Sequence, residues 1–318
     1  MKIKIHGRHS LPGETGRCKP WSWLRLVLLS MVSLSALLAT LSSADCLGAP
    51  LPRHPDLIGQ SRAEIPFEIY SGNLIVVRAT IGLIKNVNMI LDTGTSPTAI
   101  NKEMAERLNL RGKTATLQML NETIQAQSVI VPRIQIGSLG ADSLRVVVLD
   151  LRFMERRLGI SLGGLAGLDL LSTGNFTIDY RRRKIVFGPI AASEQAVRFE
   201  TLLPSLTVEA KIEGHEVRLI VDSGTEGLVV YRNRLQTSQQ RLRLDSNTSM
   251  SSPGGRTTQT GWFRAGVTLG NVDLGPHNVT IVDADADPQD DFDGLLGFAK
   301  MGFRRVSFDF DNGLFGWE

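Results

Sequence analysis

The chain has only two cysteines among 318 residues, Cys18 and Cys46. Both lie near the N-terminus, so no disulfide framework can staple the body, and burial must stabilise it instead. Aromatic residues are also scarce at 6%, while glycines number 31. That balance suits many short strands joined by tight turns. Zinc-peptidase chemistry has no support, because His54, His215 and His277 show no ligand spacing and H-E-x-x-H is absent. The lack of G-x-S-x-G and the isolation of Cys46 remove the usual nucleophilic hydrolases. A dominant charge is missing as well. The formal +3 comes from residues 1–44, which hold six Lys/Arg and one Glu, leaving 29 basic and 31 acidic residues beyond them. A near-neutral body carries no electrostatic footprint for nucleic acid.

Residues 1–44 have the parts of an export signal. A basic start (Lys2, Lys4, Arg8, Arg17, Lys19, Arg25) precedes an uncharged stretch from Leu26 to Ala44, and Ser42-Ser43-Ala44 offers small residues for cleavage. This predicts a signal peptide cut after Ala44. Its alternative is an uncleaved N-terminal anchor, since 19 uncharged residues reach the lower limit for spanning a bilayer. Either way the body is expected outside the cytoplasm, secreted or periplasmic. Residues 45–65, with Leu51-Pro-Arg-His-Pro55, read as a linker.

What the chain does have is a sentence written twice. Asp92-Thr-Gly-Thr-Ser and Asp222-Ser-Gly-Thr-Glu lie 130 residues apart, each closing an apolar run, Met89-Ile-Leu91 and Leu219-Ile-Val221. Leu165-Ala166-Gly167 follows the first, its glycine 75 residues after Asp92; Leu295-Leu296-Gly297 follows the second at the same interval. The register continues through Phe176-Thr-Ile-Asp179 and Val306-Ser-Phe-Asp309. A period so long is no solenoid unit and indicates a duplicated domain. The expected lobes are residues 66–190 and 191–318. Alternation at Ile75, Val77, Ala79 and Ile81, and at Leu144, Val146 and Val148, predicts strands. Helical signal is thin: Asn101 is placed to cap a short helix carrying Met104 and Leu108, and Asn233 stands in the similar place of the second half. The fold class is mainly β, with about one short helix per lobe.

A carboxylate on a tight glycine turn between buried strands is costly unless it is used. Two such turns suggest that two carboxylates meet. Two carboxyls sharing one proton supply both a base for water and an acid for a carbonyl oxygen. Gly94 and Gly224 let the turns close and offer N–H groups. Thr95 and Thr225 can donate hydroxyls to the ionised form, and Thr93 and Ser223 are placed to bond across the lobes.

These motifs resemble the pepsin-like and retropepsin-like aspartic proteases over residues 66–318, in both lobes. The resemblance implies a bilobal acid-protease fold of two β-barrel-like lobes with the site in the cleft between them. It makes Asp92 and Asp222 the catalytic pair, activating one water, and threads Leu165-Ala166-Gly167 and Leu295-Leu296-Gly297 beside their loops. It implies no cofactor, no metal, a polypeptide substrate, and a monomer that carries both aspartates. The chain departs from the pattern at two points. A flap hairpin within Thr114–Val131, turning near Asn121-Glu122, has no Tyr, and Glu226 stands where small residues are usual. The lobes also look short for a pepsin, so a compact tandem retropepsin-like body fits better.

The expected activity is aspartic endopeptidase cleavage of extended polypeptide. The rival is an inactive module of the same fold that binds peptides, glycans or a partner protein. A carboxylate-pair glycosidase is a third class, separable by its wider carboxyl spacing. Asp283, Asp285, Asp287, Asp290, Asp291 and Asp293 lack the Gly and Glu of a calcium loop, and Arg181-Arg-Arg-Lys184 aligns with the turn at Asn312-Gly313. Both are taken as solvated loops. Four N-x-[ST] sequons, at Asn121, Asn175, Asn247 and Asn278, matter only in a glycosylating host.

Overall fold

A computed structural model describes residues 37–38, 63–119, 123–191, 193, 195–202, 205–235, 248–251, 257–282 and 291–318. The leader apart from Leu37–Leu38, its cleavage position, both cysteines and most of the linker lie outside the described residues. So do Asn121, Glu122, Asn247, Asp283, Asp285, Asp287 and Asp290.

Alternating apolar residues build the first lobe as a sheet that buries both faces. In strand Leu74–Ile81, Ile75, Val77, Ala79 and Ile81 face the main core, while Leu74 and Val76 enter a second cluster with Ile90, Ala99, Leu117, Val147 and Leu165. Strand Leu74–Ile81 pairs antiparallel with Ile84–Leu91. The latter then takes Gly164–Ala166 as a parallel neighbour, Leu91 opposite Ala166. Ala99–Asn101 lies between Gly164–Ala166 and the end of Leu139–Leu149, parallel to the latter. The second lobe has the same pairings. Ser205–Ile212 is antiparallel to His215–Val221, which is parallel to Gly294–Leu296, and Leu228–Tyr231 is parallel to Val272–Val282.

A third sheet joins the lobes. Its order is Glu64–Pro66, Lys184–Phe187, Phe176–Asp179, Arg305–Asp309, Leu314–Trp317 and Gln195–Arg198, every pairing antiparallel. At its centre Thr177 faces Ser307 and Phe176 stacks on Phe308 with ring centroids 4.7 Å apart. Strands Glu64–Tyr70 and Gln195–Leu202 each begin in this shared sheet and end in a lobe. Asn175 latches the joint, its amide nitrogen donating to Asp309 and Asp311 and its oxygen accepting from the Phe310 and Asp311 N–H groups. The turn at Asn312-Gly313 closes the last hairpin, with Gly313 at φ 65°. The fold is mainly β and bilobal.

The helices depart from expectation. The described part of the first lobe has three, Lys102–Arg107, Arg152–Leu158 and Leu168–Leu171, whereas that of the second has only a 3-10 turn at Arg232–Arg234. Asn101 precedes the first helix but does not cap it with its side chain. Its amide instead ties three elements together, donating to the Leu162 carbonyl and Glu155 and accepting from the Leu151 N–H. A side chain buried at 2% exposure finds better partners inside the lobe than at the helix end.

Candidate active site

Each aspartate is set by the parallel strand beside it. The Asp92 N–H donates to the Ala166 carbonyl at 3.0 Å and the Asp222 N–H to the Leu296 carbonyl at 2.9 Å. The backbone then turns through Thr-Gly-Thr and Ser-Gly-Thr, with the Thr95 and Thr225 N–H groups reaching back to the Asp92 and Asp222 carbonyls. Gly167 and Gly297 are needed for closeness. A Cβ on either would stand 2.7 Å and 2.1 Å from the Thr95 and Thr225 carbonyl oxygens, respectively.

The two turns grip each other. Thr93 Oγ1 donates to the Val221 carbonyl at 2.8 Å and accepts the Ser223 N–H at 3.0 Å; Ser223 Oγ donates to the Leu91 carbonyl at 2.9 Å and accepts the Thr93 N–H at 3.0 Å. This lattice is fully buried and ties the lobes together one residue from each aspartate.

Both carboxyl groups are inaccessible to solvent. Asp92 accepts from the Gly94 N–H (3.0 Å) and Thr95 Oγ1 (3.0 Å); Asp222 accepts from the Gly224 N–H (2.7 Å) and Thr225 Oγ1 (2.6 Å). Each carboxyl also lies against the glycine of the other turn, close enough for the Asp222 charge to act on Asp92. Burial drives the Asp92 pKa well above the ordinary carboxylate value, and the Asp222 charge pushes it further, against the Thr95 and Gly94 hydrogen bonds that lower it. Neither glycine of the turns sits at positive φ. They are required instead by space, since a Cβ on Gly94 would lie 2.6 Å from Asp222 Cγ. On Gly224 it would lie 3.2 Å from Asp92 Oδ2.

The comparisons with known proteins agree with this geometry. A family model described as aspartyl protease matches residues 77–170 and again 208–299. The chain belongs to the aspartyl protease family. Among solved structures it is similar to the aspartic proteinase from Irpex lacteus, with a TM-score of 0.53 and 12% identity over 81% of this chain and 97% of that one. At that identity the likeness is one of fold. No curated protein matches the chain.

Around these two aspartates the structure adds residues for which sequence patterns gave no clear role. Glu226 neither joins the two carboxyls nor points to solvent. Its side chain is 10% exposed and pairs with Lys300 Nζ at 2.6 Å, while its carbonyl accepts the Lys300 N–H. Asp169 is half-buried beside the first turn, where it accepts from the Thr98 N–H (2.8 Å) and hydroxyl (2.7 Å) and from the Leu170 N–H. Burial raises its pKa despite those bonds. Thr98 Oγ1 in turn accepts the Gly167 N–H. Asn73, in the turn after the lobe's first strand, reaches the second lobe to donate to the Gly224 carbonyl.

The hairpin of Lys113–Met119 and Thr123–Ile136 is present, with Gln118 opposite Thr123; its tip, residues 120–122, is outside the described residues. The second lobe carries a similar hairpin of Thr248–Ser251 and Thr257–Leu269. Of the acidic stretch, Asp291 pairs with Arg218 and Asp293 accepts the Arg218 N–H. In the basic turn, Arg182 and Lys184 pair with Glu64. Among the described residues no group of His, Cys, Asp or Glu is arranged to hold a metal ion.

Proposed function

We propose that the protein is an aspartic endopeptidase in which Asp92 and Asp222 activate one water against a peptide bond. One observation carries the reading. Two solvent-excluded carboxyls, one from each lobe, lie against each other's turns while each is held by a glycine N–H and a threonine hydroxyl. Like charges so close cannot both ionise readily, so across an acid range of pH the pair holds one proton.

With one proton shared, each carboxyl has a task. The ionised one takes a proton from water as its oxygen attacks the scissile carbonyl carbon. The protonated one donates to the carbonyl oxygen, giving a neutral tetrahedral diol. Collapse re-forms the carbonyl, breaks the C–N bond and passes a proton to the leaving amine, which returns the pair to a single shared proton. The apparent pKa values belong to the pair and not to either residue. The threonine hydroxyls and glycine N–H groups stabilise whichever carboxyl carries charge.

The substrate is an extended polypeptide, because a cleft between two β lobes offers strand edges to a peptide backbone. The chain works as a monomer outside the cytoplasm, exported by its leader, and needs no cofactor. Incubation of residues 45–318 with denatured casein between about pH 3.5 and 7 tests the reading. Cleavage by the wild type that is lost in Asp92→Asn and in Asp222→Asn supports it. A folded wild type that cuts nothing, or variants that cut as well, would leave the fold as a binding module for peptides or glycans.

A further inference from the structure

The hairpin that opens the first lobe's described residues turns through Ser71 and Gly72, at φ 51° and 88°, and closes with the Asn73 N–H donating to the Tyr70 carbonyl. Two successive residues at positive φ give the tight turn whose twist suits its flanking strands. The turn carries Asn73 across the lobe boundary. Its Nδ2 donates to the Gly224 carbonyl at 2.5 Å, and the residue is 2% exposed. A carbonyl only accepts, so the carboxamide orientation is settled, with nitrogen toward Gly224 and Oδ1 away from it.

That Oδ1 is buried and has no hydrogen-bond partner among the described residues. An orphaned buried acceptor is costly and rare. It belongs to the side chain that holds Gly224, the glycine whose N–H bonds Asp222 and on which a Cβ would meet both carboxyls. Asn73 Nδ2 is engaged by the Gly224 carbonyl, which leaves Oδ1 as the unpartnered end of this amide.

We infer that Asn73 is a substrate-positioning residue, in which Nδ2 fixes the Asp222 turn and Oδ1 accepts a backbone N–H of the polypeptide bound at the dyad. The inference rests on the endopeptidase reading above. An uncharged acceptor recognises the main chain whatever the side chain, so it holds register without imposing sequence. The device is one-sided. At the matching hairpin of the second lobe the sequence has Leu203 and Pro204 between strands Gln195–Leu202 and Ser205–Ile212, with no amide side chain to offer.

The test couples enzyme and substrate changes. A peptide spanning a preferred casein cleavage site, found by mass spectrometry, is synthesised with a single N-methyl group at each successive backbone nitrogen. One position should lower kcat/KM about tenfold with the wild type, the worth of one hydrogen bond, and less than about twofold with Asn73→Ala. Asn73→Asp keeps an acceptor and, protonated at acid pH, still donates to Gly224, so it should keep most of the penalty. Thermal unfolding confirms that each variant folds, and Asn73→Leu replaces the alanine variant if it does not. An Asn73→Ala enzyme equally weakened toward every N-methyl peptide overturns the inference and leaves the endopeptidase reading standing. A wild type that cuts no casein overturns that reading, and this inference with it.

Discussion

Gly94→Ala is the sharpest perturbation the geometry offers. The added Cβ would stand 2.6 Å from Asp222 Cγ, 2.8 Å from its Oδ1 and 3.0 Å from its Cβ. Ordinary contact begins at 3.4 Å, so the closest pair is about 0.8 Å too near. The obstructing group is not a flexible tail. Asp222 is held by the Gly224 N–H and the Thr225 hydroxyl, and its backbone N–H is bonded to Leu296. Overpacking such a site costs about 1–3 kcal/mol of stability. The larger effect falls on chemistry, since a displacement of about 1 Å in a catalytic group costs on the order of 10²-fold in rate. Gly224→Ala is the internal control. Its nearest contacts, 3.1 Å to Asp222 Oδ1 and 3.2 Å to Asp92 Oδ2, need only a few tenths of an ångström of relief. Initial rates on a peptide substrate, beside urea unfolding of each variant, give both quantities. Gly94→Ala should lose on the order of 10²-fold in kcat/KM while remaining folded, and Gly224→Ala markedly less. A Gly94→Ala enzyme with more than about a tenth of wild-type activity would refute the argument that these glycines exist for carboxyl packing.

Two further outcomes follow from the same site. Thr93→Val removes a hydroxyl that serves both the Val221 carbonyl and the Ser223 N–H, leaving two buried groups unpaired at about 1–3 kcal/mol each. Urea unfolding should show a loss of about 2–5 kcal/mol with Thr93→Ser near wild type, and a loss under about 1 kcal/mol would contradict the interlobe role. The raised Asp92 pKa has a signed consequence. A native carboxyl that holds its proton longer than the unfolded chain does stabilises the fold most below the ordinary carboxylate pKa, and that contribution is lost as pH rises through the native value. Relative to wild type, Asp92→Asn should therefore gain in Tm between pH 3.5 and pH 7. A difference independent of pH would remove burial of a shared proton from the account.

The elements legible in the sequence were those with a local signature. Asp92-Thr-Gly-Thr and Asp222-Ser-Gly-Thr mark their turns because strand, carboxylate, glycine and hydroxyl are contiguous. Leu165-Ala166-Gly167 and Leu295-Leu296-Gly297 are visible because a parallel neighbour buried on both faces must be apolar and end in the glycine that clears a carbonyl. Period-2 alternation likewise gave away Leu74–Ile81. What stayed hidden is nonlocal. Asn73 looks like an ordinary turn residue until the third dimension brings it to Gly224, 151 positions on. Glu226 found Lys300 and Asp169 found Thr98 in the same way, through contacts between loops distant in the chain. The helix Arg152–Leu158 did leave local marks, with Asp150 accepting the Arg152 N–H and Gly159 at φ 70° ending it. Its apolar residues are too few to set a period beside the strand that precedes it.

The dependence of kcat/KM on pH, measured from about pH 2 to 9 on one peptide substrate, tests the central claim most directly. Two carboxyls that share a proton predict a bell on the acid side of neutrality, its two limbs reporting the first and second deprotonations of the pair. Activity that instead rises to a plateau through neutral pH and beyond would mean that Asp92 and Asp222 do not act as a shared acid and base.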